Sequence, residues 1–356
     1  MKPGRKPSHH KPGRIAKNGA VRSVSGQTWL LAGVIAGCCV LAGYVGVSQF
    51  GARNGLSAAN GQVSGAGADV NNPIDAERAF GYLQQLCELG PRPSGSNSMR
   101  RQQELLKSHF EKLGGQVSLQ TFAVRHPLNR NRRVPMANLI VQWRPDAHER
   151  VVLCAHYDTR PFPDQDRLRP RGTFIGANDG ASGVALLMEL AHHLPGLECK
   201  YGVDFVLFDG EEFVFNERNE YFLGSKAFAT GYRADPPDYR YRWGVLLDMV
   251  ADKELRIPQE GNSISWADTR PLVASIWSTA ARLGVNEFVA AEGPFVNDDH
   301  LALRNEAGIP TCDIIDFSFG PRHSYWHTEA DVPENCSAES LAKVTWVVLE
   351  WLKTAP

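Results

Sequence analysis

The chain has no Cys-x-x-Cys pair, no internal repeat and no glycine-rich loop of the kind that cradles phosphate. The first absence argues against a thiolate-ligated zinc site, the second against a solenoid, and the third against nucleotide binding of the P-loop or dinucleotide type. A large net charge is also missing, the balance over 356 residues being −1. The charge is unevenly placed. Residues 1–27 contain seven Lys and Arg and no acid, and no charged residue lies between Gly26 and Gly51. Beyond that point 31 of the 38 basic residues face all 39 acids, a balance of −8. A mildly acidic domain makes a poor nucleic-acid partner. Of the seven cysteines, Cys38 and Cys39 fall in the uncharged segment, and Cys87, Cys154, Cys199, Cys312 and Cys336 read as mostly buried free thiols.

Residues 28–50 form an uncharged run of 23. A membrane-spanning helix needs about 20 apolar residues, and the run exceeds the roughly 7–15 of a cleaved signal core. The basic flank places residues 1–27 in the cytoplasm and the rest of the chain outside. Trp29 and Tyr44 sit near the two ends, where interfacial aromatics belong. The expected organisation is a basic cytoplasmic arm (1–27), a single-pass transmembrane helix (28–50), a Gly/Ala/Ser-rich flexible linker (51–72) and an extracytoplasmic catalytic domain (73–356).

Within that domain, apolar spacing predicts helices over 75–89 and 98–113, and strand-like runs follow at 117–124 and 138–143. Mainly apolar runs at 151–155, 203–208, 245–247 and 311–315, broken only by Asp204, Thr311 and Asp313, read as strands covered on both faces. Helical stretches at 180–194, 224–230, 270–283 and 337–352 alternate with them, and Ser337 is the expected N-cap of the last. This alternation predicts an α/β fold with a doubly wound, mostly parallel (mixed) central sheet flanked by helices.

Sites in such sheets form beyond the carboxyl ends of the strands. His156-Tyr157-Asp158 follows the first apolar run, and Gly176-Ala177-Asn178-Asp179 opens the next helix. Asp209-Gly210-Glu211-Glu212 follows the second run, Asp248 ends the third, and Trp326-His327-Thr328 lies beyond the fourth. Neighbouring side chains after a strand diverge, so one of Glu211 and Glu212 can bind a metal while the other faces substrate as a base. Carboxylates and imidazoles gathered at one edge repel without a cation, and zinc takes such nitrogen and oxygen donors. Asp209 is read as a turn cap, His9-His10 as part of the basic arm, His192-His193 as a solvated helix end, and His323 as lying outside the pocket.

Together these motifs resemble the zinc-dependent aminopeptidase superfamily that also contains the glutaminyl-peptide cyclotransferases, over almost all of the chain after residue 73. The resemblance implies a zinc exopeptidase-like fold acting on peptide or protein N-termini. Three features are similar to the cyclotransferase branch: Asp298-Asp299-His300, Trp326 directly before His327, and the eleven residues between Glu212 and Gly224-Ser225. Others depart from it. The 213–223 loop lacks tryptophan, the segment before Trp326 is long, Asn297 stands for glutamine, and Ala155 stands where animal enzymes have cysteine.

As a cyclotransferase, the resemblance implies one zinc on Asp179, Glu212 and His327, polarising the side-chain amide of an N-terminal glutamine. Glu211 is then the proton carrier, Asp298 and Asp248 hold the reacting amide, and Trp326 walls the pocket. As an aminopeptidase it implies two zinc ions bridged by Asp179, the second completed by His156 and Asp248, with Glu211 activating water. Asp158 orients His156 in either case. A non-catalytic ectodomain on the same fold is a third reading, but such relatives usually lose ligands or the base, and none is missing here.

Overall fold

The computed structural model describes residues 71–356. The expected arm and membrane segment, and all but the last two residues of the linker, lie outside the described residues. Among the described residues no helix is long and apolar enough to cross a membrane.

The chain opens with α1 (Ala76–Glu88) and α2 (Asn97–Lys112), capped by the side chains of Asp75 and Ser96, which accept from the backbone N–H of Arg78 and Met99. The long β1 (Gln116–His126) and β2 (Asn129–Trp143) follow. Then come β3 (Glu149–His156), α3 (Ser182–Leu190), β4 (Gly202–Phe208), α4 (Leu223–Ala234) and β5 (Arg240–Asp248). The remaining elements are β6 (Ile257–Gln259), α5 (Gly261–Ser265), α6 (Arg270–Leu283), β7 (Phe288–Glu292), α7 (His300–Asn305), β8 (Thr311–Ile315) and α8 (Ala338–Thr354). Ser337 caps α8 as expected, accepting from Ser340 N–H.

Six strands make one mixed sheet in the order β1-β2-β4-β3-β5-β8. β4, β3, β5 and β8 are mutually parallel, while β1 and β2 are antiparallel additions at one edge. The four parallel strands are the four apolar runs. Their alternate residues feed two cores, as a doubly wound sheet requires. Val151, Leu153 and Ala155 face a large core with residues of α1, α2, α3, α6 and α8, and Val152 and Cys154 face a smaller one with Phe228 of α4 and Leu303 of α7.

Two expectations change. The run at 138–143 is only the end of β2, which begins at Asn129. Its first half, Asn-Arg-Asn-Arg-Arg, has no apolar pattern and is held extended by pairing with β1. His192 and His193 are not a solvated helix end: His192 Nε2 lies 2.7 Å from Tyr82 Oη, and His193 Nε2 lies 3.5 Å from the buried Glu189. Cys87, Cys154, Cys199, Cys312 and Cys336 are all free, four of them buried.

Candidate active site

Parallel strands deliver their carboxyl ends to one edge, and the chemistry collects there. His156 ends β3, the 209–212 turn follows β4, Asp248 ends β5, and Asp179 precedes α3. The turn into α3 needs Gly180, at φ +106°, because a Cβ there would lie 2.6 Å from the carbonyl oxygen of Asp158. His327 and Met249 hold positive φ of 54° and 49° without being glycine, a strain that surrounding packing must over-determine.

Asp179 stands between two histidines. Its Oδ1 lies 3.2 Å from His156 Nε2 and its Oδ2 3.3 Å from His327 Nε2. Asp248 Oδ1 is 3.3 Å from the same nitrogen of His156, and Glu212 Oε1 is 2.8 Å from that of His327. The result is two donor groups sharing Asp179: His156, Asp179 and Asp248, and Asp179, Glu212 and His327. In each, one imidazole nitrogen and two carboxylate oxygens lie within 4.8 Å of one another. Both Nδ1 atoms are buried without a hydrogen-bond partner, with Asp158 at 3.7 Å and Asp164 at 3.6 Å.

The electrostatics fit a cation. Burial disfavours a charged His327, yet Glu212 and Asp179 outweigh it and lift its pKa to about 9. Burial likewise opposes charge on His156, and Asp158, Asp179 and Asp248 raise it well above its ordinary value. Asp179 would be pushed up by burial but is held low by the two rings. Protons on the imidazoles thus play the part a divalent ion plays better, since it can be shared by all the oxygens at once. Imidazole and carboxylate are zinc donors.

Glu211 and Glu212 differ in their other contacts, although with His156 they form a third group whose donor atoms lie within 4.8 Å of one another. Glu212 turns to His327 and is gripped by Arg160, whose N–H donates to Oε2 (3.0 Å) and whose Nη1 donates to Oε1 (3.1 Å). Glu211 lines the cavity, its Oε2 3.9 Å from His156 Nδ1. Burial, then the charges of Glu212, Asp298 and Asp299 against the pull of His156, hold its pKa well above the carboxylate range. Burial and the neighbouring Asp248 and Asp299 do the same to Asp298. Of Asp298-Asp299-His300, only Asp298 reaches the cavity. Asp299 accepts from Ser225 Oγ, and His300 is buried against Glu260 (3.4 Å) and Asp313 (3.7 Å).

The cavity has a volume of about 600 Å³, with Asp179, Glu211, Glu212, Asp248, Asp298 and His327 on its floor. Tyr221, Phe222, Phe295, Phe317 and Trp326 wall it. The Trp326 indole is stacked on His327 with ring centres 3.7 Å apart and backed by His323 at 4.9 Å. His323 itself does not line the cavity.

Asp158 Oδ1 lies 3.7 Å from His156 Nδ1, beside the ring it was expected to orient, and it also accepts from the backbone N–H of Glu211 and Glu212 (both 3.1 Å), positioning the glutamate turn. One role read from sequence is corrected. Asp209 does not cap its own turn; it accepts from Ala137 N–H of β2 (2.9 Å) and ties the two strands together. Two residues escaped sequence reasoning. One is Arg160. The other is Asp331, a fully buried carboxylate that accepts from Asn178 N–H (2.7 Å) and Asp179 N–H (3.1 Å). The only sequence signal for either is proximity, two residues after Asp158 and four after His327.

Comparison with known proteins bears on this geometry. The sequence profile described as peptidase family M28 matches residues 138–352. The crystal structure of Fimbriiglobus ruber glutaminyl cyclase superposes with a TM-score of 0.75 at 43% identity, covering 80% of this chain and 96% of that one. A Zn-dependent exopeptidase from Parabacteroides distasonis superposes with a TM-score of 0.73 at 29% identity, covering 80% and 99%. Glutaminyl-peptide cyclotransferase of Gloydius blomhoffii is 27% identical over 304 residues, 75% of this chain and 78% of the relative. Fold similarity is nearly equal for the cyclase and the exopeptidase structures, whereas sequence identity is higher to the cyclase.

Proposed function

This chain belongs to peptidase family M28, and from that membership we propose that it is a glutaminyl-peptide cyclotransferase, converting an N-terminal glutamine to pyroglutamate with release of ammonia. The observation that carries the reading is the placing of Glu211 and Asp298 together on the floor of one aromatic-walled cavity, while Glu212 is tied away to His327 and Arg160. The 43% identity to a glutaminyl cyclase supports it.

Asp179, Glu212 and His327 would hold one zinc ion, and His156 with Asp248 would serve a second. When bound, zinc supplies Lewis-acid polarisation of the side-chain amide carbonyl. The chain's own groups do the rest. The aromatic walls, with Trp326 fixed flat on His327, hold the short glutaminyl side chain and exclude water. The α-amine then forms a C–N bond to the δ-carbon of its own side chain. Glu211 takes the proton from that amine and returns it to the departing nitrogen, which leaves as ammonia. Asp298 and Asp248, both buried side chains that line the cavity, would hold the reacting amide by hydrogen bonds.

The bridging position of Asp179 between two donor groups is also what a two-zinc aminopeptidase requires. One assay separates the two activities. The zinc-loaded full chain is offered a Gln-initiated and a Leu-initiated peptide. Ammonia release with loss of the free amine is expected from the first. A freed amino acid from either peptide, without ammonia, would establish the peptidase instead.

The same proposal includes residues 28–50 as a single-pass anchor with a cytoplasmic amino terminus and an extracytoplasmic catalytic domain, supported by the charge-free run and its basic flank. Alkaline extraction should leave the chain in the membrane pellet. Protease added outside the cytoplasmic membrane should digest the catalytic domain, and release of intact protein into the supernatant would refute the anchor.

A further inference from the structure

β2 is longer than its partner in the sheet. Its residues Leu139 to Trp143 pair with Leu207 to Val203 of β4, and β4 ends at Phe208, on the edge where the site lies. Because the two strands are antiparallel, residues 129–138 run on past that edge, paired only with β1. At about 3.4 Å per residue this hairpin overhangs the edge by roughly 30 Å. It is packed along its length: Val134 and Met136 share a buried cluster with Phe213, and at the turn end the ring of His126 is 4.8 Å from that of Phe215. The loop holding those phenylalanines also supplies Glu217, Tyr221 and Phe222 to the cavity lining. The overhang therefore stands beside the cavity.

Its charge is one-sided. No Asp or Glu occurs between Glu111 and Asp146, although the chain beyond Gly51 is acidic overall. Arg125, Arg130, Arg132 and Arg133 are exposed, and none is ion-paired among the described residues. Arg125 and Arg133 sit directly opposite each other in the register, an arrangement that destabilises a strand pair. Arg133 satisfies one nitrogen on a backbone oxygen, Ala123 O at 3.0 Å, and no carboxylate intervenes. Arg125 and Arg133 lie on the strand face opposite Val134 and Met136, and Arg130 and Arg132 lie in the unpaired segment by the turn, so four solvated guanidinium groups with no carboxylate among them gather at the end of the hairpin, where an anion can bind.

We infer that the β1–β2 hairpin is a second substrate-binding element, selecting peptides and proteins that carry an acidic stretch downstream of the N-terminal residue. The inference rests on the proposed action at peptide N-termini. The spacing sets where the acids should lie. The Arg125–Arg133 pair is five residues along β2 from Asn138, and the turn is nine. An extended peptide rising about 3.3 Å per residue from the sheet edge meets these arginines at roughly its fifth to ninth positions. Acidic residues there gain contact with guanidinium groups, while the amino terminus is drawn to the carboxylate-rich cavity.

The test compares three peptides on the zinc-loaded full chain: Gln followed by four neutral residues and then four acidic, four neutral or four basic ones. With the native chain at low salt, kcat/KM for the acidic peptide should exceed that for the neutral one about tenfold, within the range that electrostatic steering supplies. High salt and the variant R130Q/R132Q/R133Q should each reduce the ratio to near one, and turnover of a short Gln-initiated dipeptide amide should stay unchanged. Equal rates on acidic and neutral peptides in the native chain would overturn the inference. So would a preference that survives the variant, or arginines that prove to bind anionic vesicles or nucleic acid and not the acidic peptide. Fluorescence anisotropy of a labelled acidic peptide with a blocked N-terminus reads the hairpin without chemistry. If no Gln-initiated peptide is cyclised but this peptide still binds through the arginines, the catalytic reading fails and the hairpin assignment stands.

Discussion

Replacing Glu211 with glutamine removes one proton-carrying oxygen and changes little else. The side chain keeps its length and shape. The backbone N–H of residue 211 still donates to Asp158 at 3.1 Å, so the turn carrying Glu212 is held as before. Glu211 belongs to the group with His156 and Glu212 but not to that of Asp179, Glu212 and His327, so zinc held by the latter should persist. Stability should not fall. Glu211 is an acid whose pKa is raised in the folded chain, chiefly by burial. Its ionisation therefore costs stability as pH rises above its unfolded value of 4.5, and a neutral amide removes that cost. The loss is confined to catalysis. A positioned general base and acid contributes about 10²–10⁴ in rate, or roughly 3–5 kcal/mol of barrier. The assay is kcat for ammonia release from a Gln-initiated peptide, run beside zinc content by atomic absorption and a thermal melt. A fall in kcat of at least about a hundredfold, with zinc and melting temperature retained, is expected. Activity within a few-fold of the native chain would refute the role, and loss of zinc would show Glu211 to be a ligand.

Asp331→Asn should weaken zinc binding by about 10- to 100-fold, the usual effect of losing a group that orients a ligand, because the amide cannot accept both the Asn178 and Asp179 N–H groups. Chelator competition measures this, and an unchanged affinity would refute it. Glu260 is held down to about 2 because His300 and the N–H groups of Val296 and Asn262 outweigh its burial. Its folded pKa lies below the unfolded 4.5, so its stabilisation of about 3 kcal/mol is present above pH 4.5 and lost as pH falls towards 2. Glu260→Gln should cost that much in urea melts at pH 7 and progressively less in acid, and a pH-independent difference would contradict the assignment.

Much of the fold was legible because buried parallel strands are apolar on both faces, and 151–155, 203–208, 245–247 and 311–315 have no polar alternation to confuse them except Asp204 and Asp313. β2 was legible only over its last residues, since its first half is polar and becomes a strand through pairing with β1. The short β6, β7, α5 and α7 carry too few residues to show a period. In the site, the donor residues could be named because each follows a recognisable strand. Asp209 was given the wrong partner, since its true one is the backbone N–H of Ala137 in another strand, and the second task of Asp158, holding the Glu211–Glu212 turn, leaves no mark in the sequence.

The order of strands and helices and the chemical identity of the donors follow from the sequence alone, because hydrophobic periodicity and residue type are local properties of a chain. The tertiary structure decided that Asp179 lies between His156 and His327, that Arg160 grips Glu212, that Asp331 holds the Asp179 backbone from 152 residues away, and that the arginine hairpin packs on the loop that lines the cavity. The physical reason is that hydrogen bonds and ion pairs act over about 3 Å in space, and no pattern along the chain records which distant groups folding brings within that distance.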